Sequence, residues 1–450
     1  CTSITNLFNG CTKLSKVSKN AFVGAAKVTD ISGLFSGCTS LKTIPEGIFA
    51  PMANLKTTSD VFSSSGIESV PAGLFAGNTL TTTFKNVFNG CTSLTSLPDG
   101  LFVNNKAVTT FESAFNECTA LISLPDGLFA NNSKVSTYLN AFKGCTSLSS
   151  IGKIFGTNST SKLKLESAFE GCTSLKALPA GFFDGLTGAD SFKKTFYGCT
   201  SLATIPEKLF AKCSNATTTE SCFQNCTALQ AVPASLFGTT TKTKTLTSMF
   251  SGCSSLETIA PDAFSGINAS AGTVEKIFQN CTSLKEVPSG LFKNNEKISS
   301  YKNAFNGCIG LEKIGSEVVN CKYGDISISY IFSGCTSLKK IGENVFINPE
   351  KVKAVTYVFQ GCSALETVPV GTFDNFKAAT NINSLFDGCV SLKGESPYTV
   401  VNGVKYHLYD RTAENASASG FAEIKLMKAA FQGCTLLSDY AQIPDPAKAN

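Results

Sequence analysis

From Leu94 the apolar residues fall at Leu94, Leu97, Leu101 and Phe102, and from Val108 they fall at Val108, Phe111, Ala114 and Phe115. A step of about three residues suits neither a long amphipathic helix nor a long alternating strand. It predicts short extended pieces joined by tight turns, each coil laying its apolar residues on those of the coil before. The proline after the second leucine (Pro98, Pro125, Pro288) has no amide donor and stops the strand there. The glycine of the PDG and PAG triplets marks the turn that follows.

The same pattern is written many times. Taking the phenylalanine of F-x-G-C as a marker gives Phe8, Phe35, Phe62, Phe88, Phe115, Phe142, Phe169, Phe196, Phe223, Phe250, Phe278, Phe305, Phe332, Phe359, Phe386 and Phe431. Most steps are 27 residues; the last, from Phe386 to Phe431, is 45. A period of this length implies a stacked repeat architecture rather than several ordinary domains. Stacking places equivalent residues in columns at roughly 4.8 Å, the spacing of neighbouring strands. One column holds the marker phenylalanines and a second holds Phe49, Phe75, Phe102 and Phe129, both inside the core. A single ring shape repeated in register packs better than mixed shapes, which agrees with the absence of Trp.

Fifteen of the 19 cysteines, from Cys11 and Cys38 to Cys389 and Cys434, stand three residues after a marker phenylalanine. Their Cβ vectors run parallel at about 4.8 Å, outside the usual disulfide range of about 3.5–4.5 Å. A straight column also lacks the converging directions of a zinc site. The reading is a ladder of buried thiols, small hydrophobes with a weak S–H donor for a turn carbonyl, with some disulfides as the alternative. Ser65 takes the cysteine position in the third coil and offers a hydroxyl for the same role. Cys213 stands where other repeats have Asn105, and Cys222 replaces the apolar residue before a marker. Cys1 is either the lipid-carrying first residue of a bacterial lipoprotein, and so a lipid anchor, or simply where this chain starts.

The segments "FSGCTSLKTIP" at 35–45 and "FQNCTSLKEVP" at 278–288 resemble the BspA-type leucine-rich repeat proteins of bacterial and some protist cell surfaces. The resemblance covers nearly the whole chain. It implies an α/β leucine-rich repeat solenoid, here about 16 coils with short parallel strands and tight or short helical turns. It also implies secretion, an extracellular or cell-surface location, and adhesion to host matrix proteins or other microbes. The family's usual repeat is shorter than 27 residues, and the family offers no catalytic residues to carry over.

Charge and chemistry narrow the function further. The net charge is +5 and scattered, and Arg411 is the only arginine, so the bidentate forks that grip phosphates and base edges are missing and nucleic acid is not expected as a partner. No apolar run approaches the roughly 20 residues that cross a bilayer. His407 is the only histidine, leaving the column cysteines and serines without a general base in reach except by a fold-back of the insertion. Carboxylates such as Asp99, Asp126 and Glu207 vary between coils and read as solvated rim positions. No catalytic residue, metal ligand or cofactor is assigned.

The long last step breaks the pattern. Within "SPYTVVNGVKYHLYDRTAEN", residues 396–415, Asn402-Gly403 supplies the positive φ angles of a tight hairpin turn between Val400-Val401 and Val404 to Tyr409. The chain therefore reads as a solenoid over 1–393, a hairpin insertion over 394–419, and a last coil with the C-terminal end over 420–450. Tyr398, Tyr406, His407, Tyr409 and Arg411 are the candidate binding residues, since Tyr and Arg dominate interface energetics. The alternative is that the insertion folds over the end coils as a lid. A second candidate surface is the face beside the Leu-x-x-Leu segments, with Lys42, Thr95, Ser96, Lys176, Glu257, Lys285 and Glu286 in rows.

Two functions follow. One is a non-enzymatic adhesin or binding protein whose ligand is a protein or glycan on a host or microbial surface. The other is a structural subunit or stalk that self-associates head to tail through uncapped ends, since neither "CTSITNLF" nor "DYAQIPDPAKAN" reads as a polar cap.

Overall fold

The computed structural model describes residues 1–238, 242–267 and 272–449. Residues 239–241 and 268–271 of the expected 1–393 solenoid, and Asn450 of the last coil, lie outside them. The chain divides into two compact units, Cys1–Leu229 and Gln230–Asn450, which carry nine and seven of the marker phenylalanines. Each unit is a parallel leucine-rich repeat solenoid.

Coils are joined by backbone hydrogen bonds one repeat apart. Within each unit the amide of a marker phenylalanine donates to the carbonyl of the residue before the next marker, as in Phe35 to Val61 (2.9 Å), Phe88 to Ala114 (2.8 Å) and, in the second unit, Phe305 to Ile331 (2.8 Å). Elsewhere in the coil the pairing is parallel and brief. The two-residue strands Ser123–Leu124 and Ser150–Ile151 pair in the first unit, and Glu286–Val287, Lys313–Ile314 and Lys340–Ile341 form a three-stranded row in the second. A column of single bridges runs through Ser3, Asp30, Thr57, Thr83, Thr110 and Thr137. Proline and the left-handed turn residues end each piece after two or three residues, so strands never lengthen. Among the described residues helix is confined to the last part of the chain, at Leu408–Asp410, Ala416–Ser419, Tyr440–Gln442 and Asp445–Lys448, and none of it is long and apolar enough to cross a membrane.

The marker rings stack as the spacing implies. Centroids in the first unit lie 5.5 Å apart for Phe8–Phe35, 5.2 Å for Phe115–Phe142 and 5.5 Å for Phe196–Phe223, with planes within 5° of parallel in each pair. The second unit stacks its markers too, with Phe278–Phe305 at 5.3 Å and 17° and Phe359–Phe386 at 5.6 Å and 8°. These are offset stacks, the geometry that the ring quadrupole favours. The second phenylalanine column leans against the first, as in Phe102–Phe115 at 6.2 Å and 59°. Burying each ring stabilises by about 2–3 kcal/mol.

All nineteen cysteines are free thiols, and all but Cys1 and Cys11 are buried. Buried column thiols donate to the carbonyl of the marker phenylalanine one coil earlier within each unit: Cys118 to Phe88 at 3.1 Å, Cys199 to Phe169 at 3.2 Å, Cys335 to Phe305 at 3.3 Å. Ser65 keeps the column polar, its hydroxyl lying 3.4 Å from Cys91 Sγ. A second ladder is made of asparagine. Asn105 Nδ2 donates to the Phe75 and Asn78 carbonyls at 3.2 and 2.9 Å, and Cys213 makes a longer 3.7 Å contact to Phe183 O from the equivalent place.

Burial pushes the thiols of Cys145, Cys308 and Cys362 up to about 12. In the unfolded chain the same thiols ionise near pH ~8.5. Their contribution to stability is therefore complete below that value and is lost as pH rises toward the folded values. We expect an aromatic disulfide reagent to titrate Cys1 and Cys11 rapidly in the native protein at pH 8, and all nineteen thiols in denaturant without reductant. A native count well above two, or a denatured count well below nineteen, contradicts the ladder.

Candidate functional site

Two regions carry the residues singled out from sequence. In the 45-residue step the solenoid column is uninterrupted: Phe386 stacks on Phe431 at 5.6 Å, the Phe386 amide reaches Ala430 O at 2.8 Å, and Cys434 Sγ donates to Phe386 O at 3.2 Å. The extra residues leave the coil and return without disturbing its register. Within them Tyr398–Val401 and Val404–His407 pair antiparallel, Tyr398 opposite His407 and Val401 opposite Val404. Asn402 and Gly403 turn the hairpin at φ 51° and 81°.

The structure places the five candidate side chains mostly inward. Tyr406, His407 and Tyr409 are buried, Arg411 is 1 % exposed, and only Tyr398 is half-buried. The exposed edge of the hairpin consists instead of Val400, Asn402, Gly403, Val404 and Lys405. Tyr409 lies edge-on to Phe431 at 6.4 Å and stacks on His407 at 5.0 Å, so these rings cover the end of the marker column.

His407 sits among groups that resemble catalytic machinery in type and differ from it in wiring. Its Nδ1 lies 2.8 Å from Ser396 Oγ and 3.2 Å from Ser396 O. A carbonyl only accepts, so Nδ1 carries the proton and donates to both. The Ser396 hydroxyl donates to Asp439 Oδ2, to which Tyr409 OH also donates at 3.0 Å. His407 Nε2 faces Glu395 Oε1 at 3.3 Å. The serine proton is thus directed at a carboxylate and the imidazole is a donor to the serine, the reverse of a base that activates a nucleophile. Ser396 is fully buried as well. The cluster fastens the insertion to the last coil.

Arg411 fastens its other side. Its NH2 donates to Phe373 O and Thr399 Oγ1, both at 3.1 Å, and Thr399 Oγ1 donates onward to Asp374 at 2.6 Å. The guanidinium stacks on Phe421 with Cζ 3.7 Å from the ring centroid, and Lys377 Nζ lies 4.1 Å from the same centroid. Burial lowers the Arg411 pKa to about 10 against the opposing pull of Asp374. The guanidinium stays charged at neutral pH.

The second region is the face of the Leu-x-x-Leu segments, where Lys42, Thr95, Ser96, Lys176, Glu257, Lys285 and Glu286 are all exposed. In the first unit this face is largely hydroxyl: Thr43, Ser69, Ser96, Ser123, Ser150 and Thr204 occupy one row. In the second unit an adjacent row alternates in sign through Glu257, Lys285, Glu312, Lys339, Glu366 and Lys393. Its ion pairs, Lys285–Glu312 at 4.0 Å and Lys393–Glu366 at 2.6 Å, join neighbouring coils, as does Lys313–Glu286 at 2.7 Å in the next row. Exposed pairs of this kind are worth about 0–1 kcal/mol, so a partner's charges exchange with them at little cost.

Sequence reasoning missed Ser396, Asp439, Asp374 and Glu395 as partners. Ser396 and Asp439 are 43 residues apart and carry no local signature. It also passed over Tyr330 and Tyr357, whose signal is an aromatic residue repeated after 27 positions in a column otherwise made of small or polar residues.

Burial raises the Asp439 carboxyl, but hydrogen bonds from the Ser396 hydroxyl and amide and from Tyr409 outweigh it and hold the group below its ordinary value. The stability this contributes is present above the unfolded value of about 3.9 and is lost as pH falls through the lower folded one. Glu395 and Asp410 also face His407. We expect acid to loosen the insertion below about pH 4, read by hydrogen exchange of residues 396–411, with Asp439→Asn showing a smaller acid loss from a lower starting stability. An acid profile identical in Asp439→Asn contradicts the anchoring role.

The family model for the BspA type leucine rich repeat region matches residues 2–176 and 272–438, and that for a Mycoplasma protein of unknown function matches 190–320. No curated protein matches the chain. Among solved structures, a leucine-rich repeat protein from Bacteroides ovatus is 18% identical over 92% of this chain and 88% of its own, with a TM-score of 0.32. A leucine rich cell surface protein from Faecalibacterium prausnitzii is 16% identical over 73% of this chain and 82% of its own, with a TM-score of 0.26.

Proposed function

Because the chain belongs to the BspA type leucine rich repeat family, a family of bacterial surface proteins built on a protein-interaction fold, we propose that it is a non-enzymatic extracellular or cell-surface binding protein. It presents the solenoid flank to protein or glycan ligands on host or microbial surfaces. The observation that carries this reading is a division of labour among the polar residues. Those with catalytic potential, Ser396, His407 and Asp439, are buried and committed to one another, whereas the strand-face rows are exposed, in register and only weakly self-paired. Solenoid faces of this kind bind elongated partners.

On this reading the insertion is a cover. Tyr406, His407, Tyr409 and Arg411 hold it to the coils, with Tyr398 at its margin beneath Lys405, whose Nζ lies 4.2 Å from the Tyr398 ring centroid. Its exposed edge, Val400 to Lys405, is what it offers outward.

The test is adhesion of the purified chain to immobilised extracellular-matrix proteins and to intact bacterial cells. We expect saturable binding to at least one surface, weakened tenfold or more by the double substitution Lys285→Glu with Lys313→Glu. The circular dichroism melt should move little, since both ion pairs are exposed. Absence of saturable binding to every surface contradicts the reading.

A further inference from the structure

Two residues before each marker phenylalanine the backbone enters the left-handed region, and the column there runs Ser248, Lys276, Asn303, Tyr330, Tyr357, Ser384 and Ala429 in the second unit, with φ between 50° and 59°. Asparagine and small polar residues tolerate this conformation, whereas a tyrosine there is strained. Two successive tyrosines at φ 59° and 58° mark the place where the column departs most from what folding asks. Their rings lie face to face, with centroids 4.2 Å apart and planes 6° from parallel, and both are half-buried.

Beyond Tyr357 the ring stack stops, because the next two positions are Ser384 and Ala429. The coils themselves continue at their usual spacing, with marker rings 5.6 Å apart at both steps. The free face of Tyr357 therefore borders a slot of about 180 Å³ where further rings would have stood. Its sides carry Gln360, Asn383, Asp387 and Lys428. Gln360 Nε2 donates to Asp387 Oδ2 at 3.1 Å, and the Lys428 amide donates to Asn383 Oδ1 at 2.8 Å, so the planar groups are held in place. The row continues to Gln432, whose Oε1 is buried without a partner.

An aromatic face bordered by fixed amides, a carboxylate and an ammonium matches one ligand chemistry well. A pyranose ring lays its C–H face on the tyrosine through dispersion contacts and turns its rim of hydroxyls, each donor and acceptor, to the planar groups. A proline-rich peptide also stacks on tyrosine, but it calls for apolar walls, and these walls are polar. We propose that the slot on the free face of Tyr357 is a carbohydrate-binding site that takes one sugar unit of a glycan chain. This rests on the surface-binding reading above and gives it a ligand class and a place.

The experiment titrates the full chain with soluble tetrasaccharides of glucose, galactose, mannose and N-acetylglucosamine, and with decaproline, by calorimetry and saturation-transfer NMR. At least one tetrasaccharide should bind, with saturation concentrated on one sugar ring. Tyr357→Asn should weaken that binding at least tenfold while leaving the melting temperature unchanged or higher, since asparagine accepts the left-handed backbone. Tyr357→Phe should retain most of the affinity, and Asp387→Ala should lose it. No binding of any tetrasaccharide, binding that Tyr357→Asn does not weaken, or binding of decaproline alone overturns the site. Adhesion to matrix and cells is measured on the same proteins. If adhesion persists while no tetrasaccharide binds, the sugar site fails and the surface-binding reading stands; if adhesion is absent while a tetrasaccharide binds at Tyr357, the reverse holds.

Discussion

Each coil has to set its marker ring over the ring of the coil before while the amide of the same residue reaches the carbonyl preceding the next marker, as Phe142 does toward Phe169 and Ala168. A change of one residue between markers is absorbed elsewhere in the coil: the 26-residue step from Phe62 to Phe88 and the 28-residue step from Phe250 to Phe278 keep their rings stacked at 5.4 and 5.6 Å. The two constraints together fix where each marker returns, whether the step is the usual 27 residues or not. The thiols donate to the carbonyl of the stacked phenylalanine and the asparagines to the turn beside it, so both ladders follow from the ring column. Even the 45-residue step respects it, returning Phe431 to its place over Phe386.

Such a column leaves few positions free. Inward residues are set by packing density and by the need to satisfy each buried donor or acceptor, and the positions two before each marker are set by a left-handed backbone. What varies from coil to coil is the strand face, the outer edge of the turns and the insertion. Function is expected where a position varies against its own constraint. The two stacked tyrosines meet that description more sharply than the charged rows, because a solvated Lys–Glu pair asks nothing of the backbone, whereas Tyr330 and Tyr357 hold a conformation that disfavours them.

Most of the solenoid was legible in the sequence, because recurrence within one chain is a direct observation. The marker spacing gave away the two phenylalanine columns, the buried thiols and the stand-in role of Ser65. The division into two units was not legible, since the repeat itself runs through Leu229 and Gln230 without a break in pattern. The insertion was harder still. Tyrosine, histidine and arginine were read from their residue types either as a binding surface or as a lid over the end coils, and residue type alone could not choose between them; Arg411 is 1 % exposed and tied to Phe373 O and Thr399. A unique segment has no periodicity to reveal its inner face, and its anchors, Asp374 and Asp439, lie far away in sequence.

The same kind of register, stacked rings with forward-reaching amides, holds each unit together. Residue-resolved hydrogen exchange of the intact protein tests it most directly. The account predicts that the slowest amides recur with the period of the marker phenylalanines, 27 residues at most steps, at the markers and two positions before them, and that the series continues from Phe386 to Phe431 across the insertion. Protection without that period, or a series that stops at Phe386, would contradict it.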